Sequence, residues 1–160
     1  MRCRGSLEIQ KTNGQWGVHS TRTFTKGEIV ISSNLKNNSK PTATSCAHSI
    51  QIGWSRHILM NLPARYLNHS CSPNVGVLGL NANGSYNFAA LKDIGCKEEL
   101  RFDYETTEFE IGAFTQCSCG SPNCRKTVHG YKYNSSIIRE RYDAMNIASY
   151  LLNDYVSQSD

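Results

Sequence analysis

This sequence predicts a mostly-β domain, on three observations. Short runs alternate apolar and polar residues. Clusters of Gly, Asn, Ser and Pro separate those runs. Apolar residues fall at helical spacing only near the C-terminal end. Taken in order, "SLEIQKT" reads as a strand, and "GQWGV" interrupts it with two glycines. The turn "TKG" opens a second strand, "GEIVISS". Residues 34–45, "NLKNNSKPTATS", read as a polar surface loop. "AHSIQIGW" and "HILMN" are short strands. "VGVLGL" and "YNFAAL" form a hairpin across "NANGS". "EELRFDY" is a further strand, and residues 112–130 are a Gly-, Ser- and Cys-rich loop. Ser135 or Ser136 caps one helix running from about 136 to 156, with Ile138, Tyr142, Met145, Leu152 and Tyr155 near helical spacing.

A chain of 160 residues can bury one core. The net charge of +4 is mild and its basic residues are scattered, so no nucleic-acid surface is assured. "CRKTVHGYK" is the one local basic patch, and it reads as a solvated face. No apolar run approaches the length of a membrane-spanning helix, and the first residues lack the apolar core of a signal peptide. An intracellular protein, nuclear or cytoplasmic, is expected. Seven cysteines in a reducing compartment point away from a disulfide framework.

Two stretches carry chemistry. "CSCGSPNC" places Cys117, Cys119 and Cys124 within eight residues, spaced C-x-C-x4-C. Structural zinc takes four tetrahedral ligands, most often thiolates. The fourth could be His129 nearby, Cys96 in "IGCKEE", or the distant Cys71. "YLNHSCSPN" (66–74) combines turn residues with an imidazole and a thiol. His69 and Cys71 could also form a nucleophile–base pair, a reading that zinc ligation of Cys71 would remove.

"GQWGVHSTRTFTKGEIV", "RYLNHSCSPNV", "ELRFDY" and "CSCGSPNCR", in that order, resemble the SET-domain protein lysine methyltransferases with a post-SET zinc loop. The resemblance spans roughly residues 7–131. It implies small curved sheets, a pseudoknot that threads the Asn–His and tyrosine segments together, and a zinc site of Cys71, Cys117, Cys119 and Cys124. It divides the chain into a SET domain (1–111), a post-SET zinc loop (112–131) and a C-terminal helical extension (132–160). Its cofactor is S-adenosylmethionine, held by Trp16, Gly17, Arg65, Tyr66, Asn68, His69 and Tyr104, with Tyr131 or Tyr133 over the adenine. Tyr104 takes the catalytic role, and Phe102 sits where the family tunes product state. Lying two apart on a strand, these two would share a face. Phe102 offers no hydroxyl to anchor a water beside the amine, which implies di- or trimethylation. Gln15 stands where the family's first motif has glycine, and the polar insert between Ile31 and Trp54 is small.

The implied activity is lysine N-methylation of a protein or peptide, such as a histone tail. The alternatives are a cofactor- or peptide-binding module with little turnover, and a methyltransferase for a non-histone or small-amine substrate.

Overall fold

The computed structural model describes residues 6–35, 40–112 and 115–153. Nine short strands form three sheets among them. The first sheet has the order β1-β2-β9-β6: β1 (Leu7–Thr12), β2 (Gln15–Ser20), β9 (Glu99–Phe102) and β6 (Asn68–His69). The second has the order β3-β8-β7: β3 (Ile29–Ser32), β8 (Tyr86–Ala90) and β7 (Val75–Leu80). β4 (Ser49–Gly53) and β5 (Arg56–Leu59) form a third. The β7–β8 hairpin forms across the expected turn, with Val77 opposite Phe88.

Strand β2 overturns the sequence reading of "GQWGV" as an interruption. Asn13 and Gly14 take positive φ (52° and 85°), and Thr12 pairs with Gln15 across them. A two-residue loop with both φ positive matches the right-handed twist of its strands, and Asn-Gly is the pair that favours it. Gly14 therefore serves the turn.

β6 runs parallel to β9, with Asn68 opposite Arg101 and His69 opposite Phe102. The Asn74 side chain continues the association beyond β6. Its Nδ2 donates to Glu99 O (2.8 Å), and its Oδ1 accepts from Arg101 N–H (2.9 Å). The two segments expected to be threaded together thus lie side by side. The strand ends at Phe102, and Tyr104–Thr106 form a 3-10 turn. Asp103 caps that turn by accepting from the Glu105 N–H (3.2 Å).

The single helix expected from 136 to 156 is replaced by two shorter ones. α1 spans Tyr131–Arg141 and α2 spans Ser149–Asn153, separated by a 3-10 turn at Ala144–Asn146. α1 starts after Gly130, so neither Ser135 nor Ser136 caps it. Buried carboxylates explain the irregularities. Tyr142 leaves helical geometry (φ −123°, ψ 140°), and its hydroxyl donates to Asp103 Oδ2 (2.9 Å). Asn134, also non-helical, donates to Glu105 Oε1 (2.8 Å). Asp103 and Glu105 are almost wholly buried, and a buried charge must be paired. Met145 is exposed, and Tyr155 lies outside the described residues. Tyr131, Ile138, Ile147, Ala148 and Leu151 join the same apolar core as Val18, Phe88, Leu100 and Phe102.

Candidate active site

A cleft of about 790 Å³ opens between β2, the β4 region, the 3-10 turn at Ala64–Tyr66, β6 and the Phe102–Tyr104 segment. Trp16, Arg65, Tyr66, Asn68, His69, Phe102 and Tyr104 all line it. Gly17 does not. It lies against Asn68 and Glu99, where a Cβ would sit 2.7 Å from Glu99 Oε1 and 3.2 Å from Asn68 Nδ2. The missing side chain lets Asn68 Nδ2 donate to Trp16 O (2.9 Å) and Glu99 Oε1 (2.8 Å). Gln15, the departure from the family motif, donates from Nε2 to Asn68 Oδ1 (3.1 Å). Arg65 Nε donates to Met60 O (2.9 Å) and braces the turn that carries Tyr66. Tyr66 stands between Trp16 and His48, with ring centroids 6.1 and 5.7 Å away.

Tyr104 reaches the cleft from the 3-10 turn, not from the strand. Its hydroxyl donates to Leu67 O (2.9 Å), and its ring packs beside Phe102 (4.8 Å) and His69 (5.2 Å). Burial, reinforced by the Glu108 and Glu99 charges, pushes the phenol well above its ordinary value, so it stays neutral. Phe102 is buried edge-on to Phe88 (5.3 Å).

His69 does more than the sequence indicated. Its Nδ1 accepts the Tyr104 backbone N–H (3.2 Å), which assigns the proton to Nε2, 3.4 Å from Cys71 Sγ. Burial holds this imidazole neutral, down to about 4, against the opposing pull of Asp103. One ring thus couples the tyrosine backbone to the thiol cluster.

Cys71, Cys117, Cys119 and Cys124 bring their four sulfurs within 4.8 Å of one another. Tetrahedral zinc with Zn–S of about 2.3 Å sets sulfurs about 3.8 Å apart. Cys71 and Cys117 stand 3.8 Å apart. Burial pushes both of their thiols up, a cost that a cation among the sulfurs removes. The residues therefore fit a structural zinc ion. His129 is elsewhere: its backbone N–H donates to Glu105 Oε1 (2.9 Å), and its ring lies 5.8 Å from Tyr133. Cys96 is exposed and outside the cluster. Cys71 meets His69 Nε2 at 3.4 Å, but that nitrogen carries the ring's proton and the thiol is buried among three others, so the pair does not fit a nucleophile and its base.

Arg125 corrects the reading of "CRKTVHGYK" as a solvated face. Its side chain is buried, and its guanidinium bridges Asp103 Oδ1 (2.6 Å) and Glu105 Oε2 (2.9 Å). Its backbone N–H meets Cys71 Sγ (3.4 Å). Tyr131 is a core residue, and the Tyr133 hydroxyl donates to Glu110 (2.7 Å); neither lines the cleft. Glu108 does line it, and no motif pointed to it.

Residues 15–105 match the SET domain family. An H3 lysine-4 specific histone-lysine N-methyltransferase of Aspergillus fumigatus is 40% identical over 65 residues, covering 39% of this chain and 5% of that protein. An H3 lysine-9 specific enzyme of Fusarium mangiferae is 40% identical over 81 residues, covering 42% and 24%. This chain thus spans less than a quarter of the length of either relative. Among solved structures, KRYPTONITE in complex with mCHH DNA, an H3(1-15) peptide and SAH aligns with a TM-score of 0.59 and 24% identity, over 79% of this chain and 30% of that one. The methyltransferase domain of human SETMAR aligns with a TM-score of 0.54 and 20% identity, over 76% and 56%. Both likenesses are likenesses of fold. The matched stretch contains the Asn13–Gly14 hairpin's second strand, the Asn–His segment and Tyr104, and by it this chain belongs to the SET-domain family.

Proposed function

We propose that the cleft binds S-adenosylmethionine and a lysine side chain of a protein, and that methyl groups pass to the lysine Nε. The observation that carries this reading is the Tyr104 hydroxyl, fixed on Leu67 O at the cleft wall between Phe102 and the Asn68–His69 strand. The relatives named for histone H3 lysines support a histone-tail substrate, and the SAH-bound structural neighbour supports the cofactor. A histone substrate would place the protein in the nucleus. When bound, the cofactor supplies an electrophilic methyl on a sulfonium. The chain's own residues orient and dehydrate. Asn68, whose two amide hydrogens go to Trp16 O and Glu99, keeps one Oδ1 lone pair beside the Gln15 bond for the ammonium of the cofactor's amino-acid end. Trp16 and Tyr66 wall the cleft beside it. Closing water out helps a lysine lose its proton, since desolvation disfavours the charged form. In the proposed division, residues 112–131 carry the zinc loop and 132–160 are the C-terminal extension, whose described residues 132–153 buttress the 1–111 domain. A buried interface between the extension and the Asp103–Glu105 turn supports that division.

Incubation with labelled S-adenosylmethionine and core histones, followed by mass spectrometry, tests the reading. Methyl-lysine should accumulate catalytically; no transfer to any histone lysine counts against it. A binding module is the second reading, favoured by the Gln15–Asn68 hydrogen bond across the family's glycine position. Calorimetric cofactor binding without turnover would select it.

Two expected outcomes follow from the site. Gly17→Ala pushes a methyl group into Asn68 and Glu99. Displacing about one hydrogen bond should weaken S-adenosylmethionine binding roughly tenfold by calorimetry. Phe102→Tyr adds a hydroxyl beside Tyr104 that can anchor a water where a methylated amine must turn. Wild type is expected to reach di- or trimethyl-lysine and the variant to stop at one methyl, as time-resolved mass spectrometry would report. A wild type that halts at monomethyl-lysine in excess cofactor, or an unchanged product distribution in the variant, refutes this.

A further inference from the structure

Glu108 occupies the cleft without an evident structural reason to be charged there. It follows Tyr104 by one turn: its backbone N–H donates to Tyr104 O (2.9 Å), and both side chains line the same cleft. Its Oε1 accepts the Gln51 N–H from β4 (2.8 Å) and the Thr107 hydroxyl (3.3 Å). No described residue donates to Oε2. The titratable groups its charge acts on are Tyr104, Tyr86 from β8 and Tyr150 from α2; all three are neutral phenols held up chiefly by burial. Among the described residues, no cation acts on the carboxyl in return. Burial outweighs its two hydrogen bonds and pushes it up to about 7. Asp103 and Glu105, by contrast, share Arg125. A carboxylate left half-solvated by neutral donors, beside the proposed catalytic tyrosine, lacks a positive partner among the described residues. The substrate brings one.

Resting on the methyltransferase reading above, we infer that Glu108 receives the ε-ammonium of the substrate lysine and takes its proton before methyl transfer. The ammonium N–H bond breaks, its proton passes to Glu108 Oε2, and the electron pair stays on nitrogen. That nitrogen lone pair then forms the N–CH3 bond as the methyl's bond to sulfur breaks, its electron pair going to sulfur. The sulfonium becomes a neutral thioether, and the positive charge reappears on the methylated amine. Glu108 returns its proton to water when the product leaves. The lysine is the stronger base in water, at about 10.4, but a dry channel lowers it and a carboxyl near neutrality is matched to the transfer.

Glu108→Gln tests this, because its amide oxygen still accepts the Gln51 N–H. For wild type, kcat/KM on core histones should fall below pH about 7, where Glu108 protonates, and level off above it. In the variant the break near pH 7 disappears. Its rate should rise steadily with pH, about tenfold or more below wild type near pH 7.5 and recovering toward pH 10. A second readout needs no turnover: calorimetry, in the presence of SAH, with the H3(1-15) peptide and the same peptide carrying norleucine for lysine. Wild type should prefer lysine by about tenfold or more, the worth of a charge-assisted hydrogen bond, and the variant should lose the preference. Unchanged profiles in the two proteins overturn the inference while leaving the methyltransferase reading intact. Equal binding of the two peptides to wild type, or binding of neither, also overturns it. A wild type that prefers lysine yet transfers no methyl group overturns the methyltransferase reading and the proton transfer with it, and leaves Glu108 as the ammonium receptor. Should Glu108→Gln fail to fold, Glu108→Asp is read instead: a retained acid limb with lower kcat supports the inference, and a steadily rising profile overturns it.

Discussion

Tyr104→Phe is expected to slow methyl transfer by roughly two to three orders of magnitude, the usual cost of deleting one positioned polar group at a reacting centre. Cofactor affinity should change little. The hydroxyl spends its proton on Leu67 O (2.9 Å), which fixes the oxygen and leaves its lone pairs for a polarised methyl group. The phenol is buried, and the charges near it hold it neutral throughout the working pH range. In the proposed role it therefore acts as a fixed dipole and not as a base. The ring should stay in place without the hydroxyl, because Phe102 and His69 pack on it and its backbone N–H is held by His69 Nδ1. Loss of the donor leaves Leu67 O short of a partner, at a cost of about 1–3 kcal/mol. Single-turnover rates, calorimetry and thermal melts separate these effects. A variant with near wild-type kcat would remove Tyr104 from the chemistry.

The sequence announced the segments of this site more clearly than their supports. Strands with alternating side chains, such as β7 and β8, were legible because period and turn chemistry agree. β2 was hidden by its glycine, although Asn13–Gly14 carried the hairpin signal. The C-terminal periodicity misled for a tertiary reason. Tyr142 and Asn134 reach buried carboxylates on a distant turn, and those bonds override local helix geometry. Arg125 looked like part of a basic surface because Asp103 and Glu105, its partners, lie about twenty residues upstream. Glu108 belongs to no motif. Only its place beside Tyr104, with no cation nearby among the described residues, separates it from the other acidic residues of "YETTEFE".

Cys71→Ser is expected to release zinc, and His129→Ala to retain it. Metal analysis should find one zinc per wild-type chain. The geometry behind this is the gathering of one distant and three local sulfurs within 4.8 Å, with His129 directed to Glu105 and Tyr133. Loss of the metal should reach well beyond the loop. Cys71 lies two residues from His69, whose ring holds the Tyr104 backbone N–H. Cys124 adjoins Arg125, whose guanidinium pairs both Asp103 and Glu105 on either side of Tyr104. Withdrawing Arg125 would leave two buried carboxylates without their cation, a loss of about 3–5 kcal/mol for a broken buried pair. The cap that Asp103 places on the Tyr104 turn would loosen with it. Chelation of the wild type should therefore lower both thermal stability and methyl transfer, and added zinc should restore them together. Melting curves and metal content suffice to read the first effect without any turnover. Zinc retained by Cys71→Ser but lost from His129→Ala would refute the shared site and make the post-SET loop a self-contained knuckle.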